Sequence, residues 1–252
     1  MISVDPIPVD TATLRQALNG VVAQLGVPEA ALSMEGSFPN ISSLHVDLTG
    51  AKFHRGLRFI QPASGGEPAF FVRDLQVIGA PAFAEGLPVS LLARASDAVF
   101  ALSGHTLSFS RCNSGTLELS VTRADLEAAL GNVAREAAEK KGGELKSMQV
   151  HLQSEGPRSL QLKAVATAKA MFFTATLTIT GRVEISDALE VRLADLSCVG
   201  EGMVGSMAAG AIRPRLSVLE GRSFSLRAFV PSLHNITLDA ADGLRIRAEF
   251  GH

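Results

Sequence analysis

The sequence predicts an α+β fold with a long, highly curved antiparallel sheet and two to three helices. Three observations predict it. Apolar residues recur at every second position over most of the chain, two segments carry apolar stripes at helical spacing, and no alternating βαβ series is present. The chain has 252 residues, 46% of them hydrophobic, and a formal net charge of −2. Its mean hydropathy is +0.24. A chain this apolar and this close to neutral buries a core, which excludes disorder. At this size folding removes roughly 70–75% of the unfolded surface, enough for one large domain or two small ones.

The first helix is expected where Leu14, Leu18, Val21, Val22 and Leu25 form a stripe of period 3.6. Asp10 or Thr11 supplies its cap, and Gly26 with Pro28 its stop. The second follows Thr122 as cap, with Leu126, Leu130, Val133 and Ala137 on one face. Lys140 and Lys141 suit the negative end of its dipole, and Gly142 and Gly143 close it. A third candidate runs from about Met203 to Leu219, where Pro214 bends or restarts it.

Between the helices the period is two. Met148, Val150 and Leu152 alternate with Gln149, His151 and Gln153. Leu160 to Ala168, Phe173 to Ile179 and Leu244 to Phe250 repeat the pattern, each run setting apolar residues against Lys, Thr, Gln or Arg. Such strands belong to an antiparallel sheet with one wet and one dry face.

A weak internal echo accompanies these elements. Val9 to Val21 aligns without gaps on Val121 to Val133, and Ala69 to Gly79 resembles Ala188 to Gly200 with a two-residue insertion. The expected organisation is a single domain over 1–252, with a pseudo-repeat of about 1–112 and 113–252. Chance and shared amphipathic patterning also account for the echo.

Composition excludes several functions. A pI near 6.3 lacks the basic footprint that nucleic acid requires. The chain has 13 Phe but no Trp or Tyr, the rings on which single strands and sugars usually stack. Cys112 and Cys198 are too few for a disulfide framework and lack metal spacing, so reduced thiols of a cytosolic protein are expected. No uncharged apolar run of 18 or more residues occurs, and Met1 to Pro6 shows no signal peptide. The expected location is cytoplasmic; an envelope location would require a leader ahead of this sequence.

Chemical motifs are sparse. Gly200-Glu-Gly-Met-Val-Gly205 fits G-x-G-x-x-G between a strand and a helix. The preceding strand alternates, Glu201 puts an anion where a pyrophosphate would lie, and no βαβ series surrounds the motif. A strand-to-helix corner with close backbone packing fits better. The six histidines never occur at ligand spacing, and no G-x-S-x-G elbow is present. The expectation is therefore a non-enzyme without metal or cofactor. Lys52-Phe-His-Arg-Gly-Leu-Arg-Phe-Ile60 interleaves cations with apolar side chains, as a membrane-contact segment would. Lys52, Phe53, Arg55, Arg58 and Phe59 are its candidate contacts; an ordinary strand pair joined at Gly56 explains the same pattern. Arg213, Arg215 and Arg222 form a second basic patch or cap the third helix.

Three stretches carry a family resemblance. They are Gly115 to Leu130, the paired strands from Ser159 to Val183, and a tail of Leu219-Glu-Gly-Arg222, Phe229 to Leu238 and Asp242 to Arg247. In order and periodicity, residues from about Met34 to Phe250 resemble the LmeA-like phospholipid-binding family of bacteria, within the tubular lipid-binding (TULIP) superfamily. The resemblance implies a BPI-like bent sheet around long helices and an elongated apolar groove that holds acyl chains. It brings no catalytic motif. The small residues on the dry strand faces agree with open space or with close helix packing. Ala164, Ala166, Phe173, Leu177 and Met207 are the candidate groove-lining residues. The expected function is binding, and carriage, of a phospholipid or fatty-acyl ligand, with transient membrane contact. The alternative is an interaction domain whose groove is filled by its own side chains.

Overall fold

The computed structural model describes residues 2–27, 31–53, 67–84, 86–140, 142–170, 173–221, 223–226 and 232–252. Its α+β fold is mostly sheet, with three α-helices among the described residues. Arg55, Arg58, Phe59 and Arg222 lie outside those residues. The chain divides into two compact units: Met1–Ser120 with Leu226–Ile236 and Ile246–His252, and Val121–Ser225 with Thr237–Arg245.

The first unit begins with β1 (Ile2–Ser3) and α1 (Thr11–Gln24), then β2 (Leu32–Ser37), β3 (Asn40–Asp47) and β4 (Lys52–Phe53). The long strands β5 (Glu67–Ala84) and β6 (Leu87–Ser103) follow, then β7 (Thr106–Arg111) and β8 (Ser114–Thr122). α1 starts where the cap signal puts it. The Asp10 carboxylate accepts from the Thr13 amide at 2.8 Å, and the Thr13 hydroxyl accepts from the Asp10 amide at 3.1 Å, a reciprocal capping box. Val22 packs with Val27, Leu48, Ala51 and Ala82, and Phe53 leans on this cluster.

β1 to β8 form a ten-stranded open sheet together with β14 (Leu233–Asp239) and β15 (Gly243–Gly251), in the order β14–β15–β8–β6–β5–β3–β2. This sheet is mixed, which corrects the wholly antiparallel expectation: β3 and β4 both run parallel to β5. The connection from β3 to β5 is a crossover, too long for the two-residue hairpin that antiparallel neighbours share. Phenylalanine fills the core beside it. Phe70 stacks on Phe100 at 4.8 Å, Phe100 meets Phe109 edge-on at 5.8 Å, and Phe109 meets Phe250 at 6.0 Å. Gly115 leaves the space that the Phe250 ring occupies. Burial does not alternate cleanly here. The buried set passes from Ile41 to Leu44 on β3 and from Ala98 to Ala95 on β6, a change of parity along one region of the sheet. Asp97, with φ 51°, sits at this step, where β6 leaves β8 and pairs with β7.

The second unit has α2 (Arg123–Glu139), β9 (Gly143–Gly156), β10 (Ser159–Ala170), β11 (Phe173–Ile185), β12 (Glu190–Glu201), α3 (Gly202–Leu219) and β13 (Ser223–Ser225). Its five strands are antiparallel in the order β13–β12–β11–β10–β9. Thr122 caps α2 by accepting from the Asp125 amide at 3.1 Å. α1 and α2 thus begin at the positions that the gapless echo aligns, whereas the sheets after them differ, one mixed and one antiparallel.

The face that α2 buries differs from the expected one. Leu130 is 36% and Val133 68% exposed, while Gly131 is buried, and a Cβ there would stand 3.7 Å from the Met148 Cβ. The small side of the helix, continued by half-buried Ala134 and Ala138, approaches β9 closely, and the Leu130–Val133 side points elsewhere. α3 is one continuous helix through Pro214. The carbonyl that Pro214 leaves without its helical partner belongs to Gly210, an exposed residue.

Candidate functional site

The second unit concentrates the apolar surface. Cross-strand registers put Met148, Ala166, Leu177 and Gly200 in one row, and Val150, Ala164, Ile179 and Cys198 in the next. Leu152, Leu162 and Gly181 continue on one side, and Leu145, Ala168 and Ala175 on the other. None of these positions is charged. The opposite face carries Gln149, His151, Lys163, Lys169 and the run Thr174, Thr176, Thr178, Thr180. The sequence alternation therefore resolves into a dry and a wet face.

Both helices lie on the dry face. Gly131 of α2 meets Met148, and a Cβ on Gly200 would run into the Gly205 backbone of α3. The G-x-G-x-x-G motif is thus a close packing of strand on helix, with Gly202 at φ +72° turning the corner. α2 rests on β9, while α3 rests on β12 and β11. β9 and β12 are three strand spacings apart, about 14 Å. Helices pack against each other at roughly 8–10 Å. α3 also sits on β11, where a Cβ on Gly205 would lie 3.2 Å from the Thr176 carbonyl, so β10 is the least covered strand between the helices, and Ala166, Ala168, Ala175, Leu177 and Ile179 are only half-buried.

Of the five groove candidates, Ala166 and Leu177 are direct cross-strand partners, and Ala164, one row away, is buried. Phe173, the register partner of Ala170 at the start of β11, shares their face and is 58% exposed. Met207 is not brought to them. It is 72% exposed on the side of α3 opposite buried Gly205 and Ala209, in line with Met203 at 75%. Sequence spacing alone could not separate the two sides of α3, because small or apolar residues occur on both. Among the membrane-contact candidates, Lys52 is exposed and Phe53 half-buried against the Val22 cluster.

Polar chemistry lies elsewhere. On the wet face Arg182 reaches Glu184 at 2.9 Å, Asp195 at 2.6 Å and Glu155 at 3.5 Å, tying β9, β11 and β12. Among the described residues no cluster of His, Cys, Asp and Glu has metal-binding geometry. Cys112 and Cys198 are buried free thiols, and burial pushes both up in pKa, with Arg213 opposing the shift at Cys198. In the first unit a depression of about 580 Å³ crosses β3, β5, β6 and β8, and His45 Nδ1 lies 3.2 Å from Gln76 Oε1 on its lining. Sequence reading missed it; its signal is polar residues at alternate positions of β5 and β6, Asp74 with Gln76 and Arg94 with Ser96. No helix among the described residues is long and apolar enough to cross a membrane. No family model, curated protein or solved structure matches the chain.

Proposed function

We propose that the chain is a non-enzymatic binder of acyl chains, holding a phospholipid or fatty-acyl ligand along the β10–β11 strip between α2 and α3. One observation carries the reading: an uncharged apolar sheet face, with α2 on β9 and α3 on β12 and β11, whose small and apolar residues on β10 and β11 stay half-buried. Covering that strip with hydrocarbon gains about 25 cal/mol per Å² removed from water. The small side chains of Ala166, Ala168 and Ala175 leave height above the sheet for a chain to lie. Curvature of the sheet around the helices, as in a tubular lipid-binding fold, belongs to the same proposal. So does pick-up of the ligand at a membrane.

Displacement of a fluorescent fatty acid tests it. Saturable displacement by oleate is expected, and Ala166→Trp should reduce it at least tenfold by filling the strip. A second reading, an interaction domain, is favoured by the exposed apolar outer sides of α2 and α3. That reading predicts no saturable acyl binding.

A further inference from the structure

Two rows of residues wall the polar depression of the first unit. Asp74 on β5 pairs with Ser96 on β6 and Ser96 with Ser114 on β8; one step along, Gln76 pairs with Arg94 and Arg94 with Thr116. All six line the depression. Ser96 and Ser114 join hydroxyls at 2.8 Å, and Glu249, also on the lining, accepts from Asn235 at 3.2 Å. Asp74 and Arg94 are different. They stand diagonally on neighbouring strands, a separation of about 7–8 Å between backbones that long side chains bridge. Yet their side chains form no ion pair or hydrogen bond with each other or with any other described residue. A cation and an anion thus face one depression, and Ser96, Ser114 and Thr116 occupy register positions next to Arg94 on the same lining.

We infer that this depression binds a small zwitterion, a molecule carrying an ammonium group a few ångströms from an oxyanion. The guanidinium of Arg94 donates two parallel N–H bonds to the oxyanion, a geometry an ammonium ion cannot reproduce, and the hydroxyls of Ser96 and Thr116 add donors. The ammonium group donates to the carboxylate of Asp74. An exposed ion pair is worth little by itself, so holding the two side chains apart costs little. A ligand with both charges satisfies both residues at once, which neither a simple anion nor a simple cation does. The site lies wholly within the first unit, so its fate is independent of the acyl-chain reading.

Titration calorimetry with O-phosphoethanolamine on the full chain tests the inference. Saturable binding is expected, at least tenfold tighter than that of inorganic phosphate or of ethanolamine alone. Arg94→Gln and Asp74→Asn should each weaken it at least tenfold while leaving the thermal midpoint unchanged, because both side chains are exposed. Co-sedimentation with phosphatidylcholine vesicles, with and without phosphatidylethanolamine, identifies the source. Enrichment that needs both phosphatidylethanolamine and Arg94 assigns a lipid head group; binding of the free compound alone assigns a soluble zwitterion. No saturable binding in either arm, equal binding of phosphate alone, or binding indifferent to both substitutions would overturn the inference.

Discussion

Glycine and buried thiols define the tightest constraints at the scale of single residues. A methyl group on Gly115 would enter the Phe250 ring, and one on Gly200 would enter the backbone of α3 at Gly205. Gly200 meets a carbonyl that cannot turn aside, whereas a ring can shift. Gly200→Ala should therefore cost more than Gly115→Ala, with overpacking of about 1–3 kcal/mol as the scale of the smaller effect. Chemical denaturation of the two variants checks the order. Cys112 and Cys198, 3% and 1% exposed with burial raising their pKa, should resist iodoacetamide in the native state at neutral pH and react once unfolded. Acid stability is set in part by Asp10 and Asp47. The Thr13 amide and hydroxyl hold Asp10, and the Thr49 hydroxyl and amide hold Asp47, below the ordinary value of 3.8. The native state then binds fewer protons than the unfolded chain, so this stabilisation is present above about pH 4 and is lost as pH falls through the lowered values. The denaturation midpoint should drop as pH falls below about 4, and Asp47→Asn should flatten the drop.

Element boundaries were the most legible part of the sequence. Asp10 and Thr122 cap the helices they were expected to cap, because a short side-chain acceptor followed by a free amide three residues on is a local device that tertiary structure need not override. Thr122→Ala should cost about 1 kcal/mol, read from the urea midpoint. The strands of the second unit were legible for a similar reason: from β9 to β11 each dry residue faces a dry partner. The first unit was less so. The parity change near Asp97 blurs alternation in β5 and β6, and parallel pairing of β3 with β5 leaves no hairpin signature. The face of α2 misled the periodicity argument, since close approach at Gly131 and Ala134 outweighs the larger Leu130 and Val133. One side chain shields a sheet edge. Glu127 of α2 accepts from the Val150 amide of edge strand β9 at 2.9 Å, occupying a donor that another chain could use. Glu127→Ala should leave that donor unpaired and increase concentration-dependent association, which light scattering reads.

For the molecule as a whole, two compact units divide the chemistry. The first carries the phenylalanine core and the polar depression with Asp74 and Arg94; the second carries the uncharged sheet face between two helices. Four of the five groove candidates share that face. Met207 lies on the far side of α3, a separation that appears only once Gly205 and Ala209 are seen against the sheet. The strip carries no charge of its own and suits hydrocarbon, while Glu127, bonded to the Val150 amide, and Arg213, bonded to the Cys198 carbonyl, stand at the two ends of its middle row. The most direct measurement is native mass spectrometry of the gently purified chain, followed by lipid extraction. The acyl-binding account predicts a stoichiometric adduct of lipid mass that Ala166→Trp removes. A ligand-free chain that also takes up no oleate would contradict it.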